Sequence, residues 1–152
     1  MRRFAKRAGI AIAIILVALQ FVPLNRTNPS VTREVKWNAP ETRALAQRAC
    51  FDCHSNQTVW PWYAYVAPVS MRVVNHVEDG RRRLNFSQWD QPNADFTEVN
   101  RIVTEGQMPL SDYLLLHGNA KLNAAETTAL LDGLKATFQQ DLPVPLPKRQ
   151  SP

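Results

Sequence analysis

What the chain lacks narrows its class. It has two cysteines and three histidines, whereas a four-ligand structural zinc site wants a second Cys/His pair at finger-like spacing. It holds no internal repeat and no run of alternating apolar and polar residues of useful length, so the fold class is expected to be mainly α. Its carboxylates are scattered. No acid–base or nucleophilic constellation is visible, and a lone carboxylate on a helix is usually a solvated face. At 152 residues there is room for one modest domain with appendages and none for a second, since domains run to about 100–150 residues.

Positive charge is also missing where a nucleic-acid-binding face would need it. The net charge is +5 and the pI 9.6, but Arg2, Arg3, Lys6 and Arg7 supply four of those positives. Residues 38–142 carry nine basic and twelve acidic side chains, a net of −3. No nucleic-acid partner is therefore expected. Arg81, Arg82 and Arg83 are the one basic run inside that stretch; they read as a solvated turn after Gly80, with anionic ligand groups as the functional alternative.

Residues 8–24, AGIAIAIILVALQFVPL, carry no charge. Seventeen helical residues would span about 26 Å, close to the apolar thickness of a bilayer. With the basic cluster before them and no small-x-small cleavage site after them, residues 1–24 are expected to be an uncleaved signal anchor, a single transmembrane helix in the cytoplasmic membrane. The positive-inside rule then places the domain on the periplasmic side.

Residues 25–37 are polar, contain Pro29 and read as a linker, and folding is expected to run from 38 to 142. Pro40 suits the first turn of a helix that leads into the cysteines. Val66, Val69, Val73 and Val77 recur at helical spacing, which predicts a helix over 66–79 that stops at Gly80. Asp95 with Glu98 resembles a capping box before Val99, Ile102 and Val103, with Gly106 as the stop. Asn123 with Glu126 makes the same start signal before a stripe of Leu130, Leu131, Leu134 and Phe138. Residues 143–152 are proline-rich and expected to be an extended, disordered tail.

Both cysteines stand in Cys50-Phe51-Asp52-Cys53-His54, a CxxCH arrangement. Two thiols one helical turn apart can each reach a haem vinyl group, and the adjacent imidazole is then aimed at the iron. The motif therefore predicts one covalently attached haem c, bonded to Cys50 and Cys53 and ligated by His54. A redox dithiol would want a βαβ context, and the surroundings read as helical. A disulfide across three residues closes too small a loop to stabilise much. A helical domain of about 100 residues also has a thin core, which a haem would fill. Trp60, Trp62, Tyr63 and Tyr65 follow the motif closely and could line the macrocycle, though ordinary packing explains them equally well.

Met108 lies just past Gly106 and before Pro109, in a loop able to present its thioether to the distal face, and it is the expected sixth ligand. His/Met ligation makes a high-potential electron carrier. Met71, His76 and His117 are the alternatives, as is an open site accessible to gases.

ACFDCHSNQTVWPWY, HVEDGRRRLNFSQW and GQMPLSDYLLLHGNAKLNAAE resemble segments of a bacterial family, the short haem-binding domain proteins with one CxxCH motif and often an N-terminal membrane segment. The resemblance covers about residues 38–140. It implies thioether bonds at Cys50 and Cys53, proximal ligation by His54 and a distal role for Met108; where members often follow the methionine with two prolines, Leu110 stands here. The expectation is thus a small cytochrome c-like helical domain around one haem, passing single electrons to other redox proteins. A haem-based gas or redox sensor, or a haem subunit of a larger oxidoreductase, are the other functions open to it.

Overall fold

The computed structural model describes residues 2–147. The fold is mainly helical: α1 (Arg2–Leu19), α2 (Pro40–Ala49), α3 (Phe51–His54), α4 (Val69–Arg83), α5 (Phe96–Thr104), α6 (Ser111–Leu114) and α7 (Ala124–Gln140). Short 3₁₀ turns cover Trp62–Tyr65 and Gly118–Ala120. Two two-residue strands, β1 (Pro92–Asn93) and β2 (Val144–Pro145), pair in parallel.

Local chemistry accounts for most helix ends. Pro40 sits in the first turn of α2, where its missing N–H costs nothing. The Asp95 side chain accepts the Glu98 N–H at 2.9 Å to start α5, and Gly106 beyond its end takes a φ of 68°. Asn123 and Glu126 cap α7 reciprocally, each bond 2.9 Å. α2 and α3 are two pieces rather than one helix, because the backbone leaves helical geometry at Cys50 (φ −125°, ψ −34°).

Gly80 does not stop its helix. α4 runs on to Arg83, and a Cβ on Gly80 would lie 2.4 Å from the carbonyl oxygen of Cys53. The glycine is there for the close approach of α4 to α3, a tertiary contact invisible to a local stop rule. The arginines after it are accordingly the last turn of α4. Arg81 donates to the carbonyls of Ser55 (2.8 Å) and Thr27 (3.0 Å), Arg82 pairs with Asp79, and Arg83 pairs with Glu98 at 2.8 Å.

The core lies between α2, α7 and the segment after α4. Val35, Ala46, Phe51, Phe86, Trp89, Leu130, Leu134 and Phe138 are buried in one cluster. Gly133 lets α7 close on α2, where an added Cβ would meet the Thr42 side chain at 2.1 Å. Trp89, fully buried, donates its indole N–H to the Asp141 carbonyl at 3.0 Å.

The expected transmembrane helix is corrected by the structure. No helix among the described residues is long and apolar enough to cross a membrane. α1 ends at Leu19, and the Gln20 side chain turns to bond the Ala67 N–H at 3.0 Å and the Ala67 carbonyl at 3.2 Å. The uncharged helical part is therefore residues 8–19, about 18 Å long, against the roughly 30 Å of a bilayer core. The other third of α1 holds Arg2, Arg3, Lys6 and Arg7. A single-pass anchor, and the placement at the cytoplasmic membrane derived from it, lose their support together.

Residues 32–37, expected within the linker, lie against the domain. Val35 is buried and its N–H bonds the Phe86 carbonyl at 3.0 Å, while Trp37 packs on Phe86 in a tilted pair with ring centroids 5.0 Å apart. Of the proline-rich stretch 143–152, Val144 and Pro145 pair with Pro92 and Asn93; residues 148–152 lie outside the described ones.

Candidate functional site

α3, α4, α5 and α7 and the loop after α5 enclose a cavity of about 570 Å³, within the roughly 300–1,000 Å³ of small-molecule sites. Its walls carry Cys50, Cys53, His54 and Met108 together. The sequence separates His54 from Met108 by more than fifty positions; the chain returns the methionine loop to the same space. Between them the lining is mostly aliphatic, including Val99, Ile102 and Val103 of α5 and Leu130 and Leu134 of α7. These five belong to the apolar stripes expected after Asp95 and Asn123; Leu131 and Phe138 of the second stripe do not line the cavity.

His54 is held in one orientation. Its Nδ1 lies 3.0 Å from the Leu84 carbonyl and 3.1 Å from that of Gly80. Carbonyls only accept, so Nδ1 carries the proton and donates. Nε2 is left as the lone-pair nitrogen. Burial of the ring holds its pKa below the ordinary 6.5, outweighing the two carbonyl contacts, so the imidazole is neutral near pH 7. A neutral histidine whose far nitrogen is anchored to a carbonyl is the form in which histidine ligates a metal.

The thiols are set against exchange chemistry. Burial pushes Cys50 up to about 12, with Cys53 adding to the shift; burial and then the charge of Asp52, against a lowering by Arg81, push Cys53 up to about 11. Reactive dithiols depend on thiolate, and a zinc site would bind it. Both are also free rather than bonded to each other. Among the described residues no group of three or more His, Cys, Asp or Glu could hold a metal ion. The donor set on this wall, two thiols, one imidazole and one thioether, fits a bulky ligand that brings its own metal. The cavity wall also carries Lys121 and the Arg83–Glu98 ion pair, together with Asp52 and Asp79.

A second cavity of about 280 Å³ adjoins the first, with Asp52, Cys53, His76, Leu110 and Tyr113 lining both. None of Trp60, Trp62, Tyr63 and Tyr65 lines the larger cavity, and Trp60, partly buried, lines neither. Tyr63 lines the smaller one, while Trp62 and Tyr65 are 76% and 57% exposed. His117 is also there, its ring stacked on Tyr113 at 4.0 Å, so it is set apart from the larger cavity. His76 borders both cavities, and Met71 borders neither.

A family model described as a haem-binding domain matches residues 14–136. The chain belongs to the haem-binding domain family. No curated protein and no solved structure matches it. The resemblance seen in the three sequence segments is thereby confirmed. In this haem-binding domain the carbonyls of Gly80 and Leu84 that orient His54 were not foreseen, because a backbone acceptor has no sequence signature. Tyr113, which donates its hydroxyl to Asp52 at 2.8 Å, was likewise missed. Its only local signal is its place five residues beyond Met108.

Proposed function

We propose that the haem-binding domain carries one haem c, bonded by thioethers to Cys50 and Cys53 with His54 as proximal and Met108 as distal ligand, and passes single electrons between redox proteins. One observation supports this above others: both thiols, an imidazole with Nδ1 already engaged and a methionine stand on the wall of one apolar cavity. The haem, when bound, supplies the one-electron iron chemistry. The protein's part is to orient and to shield. The Leu84 and Gly80 carbonyls fix the imidazole plane and raise its basicity through Nδ1. The aliphatic faces of α5 and α7 keep water from the ligand, and a thioether as second ligand favours the reduced state and a high potential.

Co-expression with a c-type haem maturation system, followed by intact mass and a pyridine haemochrome spectrum, tests attachment. One added haem mass and a two-thioether spectrum are expected, with each single Cys→Ala variant reduced to one thioether. A parent chain with no covalent haem overturns the proposal. Met108→Ala is expected to abolish the weak red absorption of methionine-to-ferric-iron ligation and to lower the potential. A parent that lacks this band but stays low-spin transfers the distal role to His76, which borders the same cavity. An open, ligand-binding iron in the parent favours a sensor instead.

A further inference from the structure

Met108 stands on a stretch of chain with few holds. Upstream, the Gln107 N–H bonds the Ile102 carbonyl at 3.0 Å. Downstream, α6 packs extensively on no other element among the described residues. Two side chains fasten it. Arg72 pairs with Asp112 at 2.7 Å, with the guanidinium side chain 67% exposed, and such pairs are screened and hold little. The Tyr113 hydroxyl donates to Asp52 Oδ2 at 2.8 Å from a half-buried position, a charge-assisted bond of the stronger kind.

Asp52 is itself immobilised. Its Oδ1 accepts the Val59 N–H at 3.0 Å, and its carbonyl accepts the Thr58 hydroxyl at 2.8 Å. It is also the residue between Phe51 and Cys53, inside the motif that bears the thiols and His54. One hydrogen bond thus joins the segment carrying the methionine to the helix carrying the imidazole. The Tyr113 ring is placed separately, by stacking on His117 at an interplanar angle of 13°, so losing the hydroxyl leaves the ring supported.

We propose that Tyr113 is a positioning residue, whose bond to Asp52 holds the methionine loop against the larger cavity and keeps Met108 on the iron. The inference rests on the His54/Met108 reading of the site. Imidazole added to the ferric, haem-loaded protein binds those molecules whose methionine has left, so its apparent affinity follows the open fraction. Tyr113→Phe is expected to raise that affinity about tenfold. Asp52→Asn, which keeps an acceptor oxygen, gives a smaller rise, and Arg72→Ala a negligible one. In a Met108→Ala background, Tyr113→Phe is expected to change nothing, since no ligand remains to be displaced.

An unchanged affinity in Tyr113→Phe overturns the inference. So does an equal rise in the Met108→Ala background, which would mark a general loosening of the cavity. Failure of the underlying reading looks different: the parent would lack the methionine band and bind imidazole as tightly as Met108→Ala.

Discussion

Single atoms decide the geometry of the CxxCH motif, and Gly80 is the clearest case. Alanine is the better helix former by about 1 kcal/mol, so on propensity alone Gly80→Ala within α4 should stabilise. The added Cβ would instead sit 2.4 Å from the Cys53 carbonyl oxygen. That neighbour is backbone, which cannot swing aside as a long side chain could, and overpacking of this kind costs about 1–3 kcal/mol. Steric cost outweighs propensity. We expect Gly80→Ala to lose about 2 kcal/mol in denaturant unfolding and to lower the yield of haem attachment, because the displaced atom belongs to a thiol-bearing residue. A denaturation midpoint equal to or above the parent's would show that α3 and α4 have slack the geometry denies. The CxxCH residues were legible at this scale because covalent spacing is a local property. The carbonyls that orient His54 were not, since Leu84 lies thirty positions away.

Among the elements, α7 depends most plainly on its cap. Asn123 and Glu126 satisfy two of its initial N–H groups, and the helix carries Leu130 and Leu134, which belong to both core and cavity wall. Asn123→Ala should cost about 1 kcal/mol, measured by denaturant unfolding of the haem-free chain, with Asn123→Ser close to the parent. The segment before α2 is held by an ion pair whose pH dependence can be stated. Burial alone would raise Glu34, but the bonds from Arg43 (2.7 Å) and the Trp37 indole (2.8 Å) outweigh it and hold the carboxyl below its ordinary 4.5. A depressed carboxylate contributes stability above its unfolded value, and that stability is lost as pH falls from about 4.5 through the lower folded value. Both partners are about one-third exposed, so the contribution is only about 0.5 kcal/mol. Unfolding midpoints measured across this range should show the loss in the parent and its absence in Arg43→Ala. An identical pH profile for both would remove the ion pair from the account. Start signals were readable at this scale, whereas the run of α4 past Gly80 and the break at Cys50 were not.

Across the whole molecule, order is unevenly supported. The cluster around Trp89, Phe86, Leu134 and Phe138 is buried, with only Phe86 and Leu134 of these four reaching the cavity wall, whereas α5 and α6 contain no buried residue. Phe96 of α5 packs on Phe138, while Val99, Ile102 and Val103 are turned to the cavity, where a bound haem would pack on them. Hydrogen exchange of the haem-free and haem-loaded protein should therefore differ regionally. We expect residues 96–117 to exchange about tenfold or more faster without haem, equivalent to roughly 1.4 kcal/mol. α2 and α7 should change far less. Uniform change over the whole chain would mean that the core, too, is built on the ligand.

The sequence by itself determined the helical class, the caps at Asp95 and Asn123, and the CxxCH spacing of Cys50, Cys53 and His54, because propensity, capping and motif spacing act over a few residues. It also supported a membrane-spanning reading of residues 8–24, since an apolar run reads the same whether or not it stays helical. Only the tertiary structure showed that this helix ends at Leu19, with Gln20 turned onto Ala67. Only the tertiary structure brought Val35 into the core and Met108 to the cavity wall. Such contacts join residues tens of positions apart, and their free energy depends on which surfaces meet, a quantity no local pattern encodes.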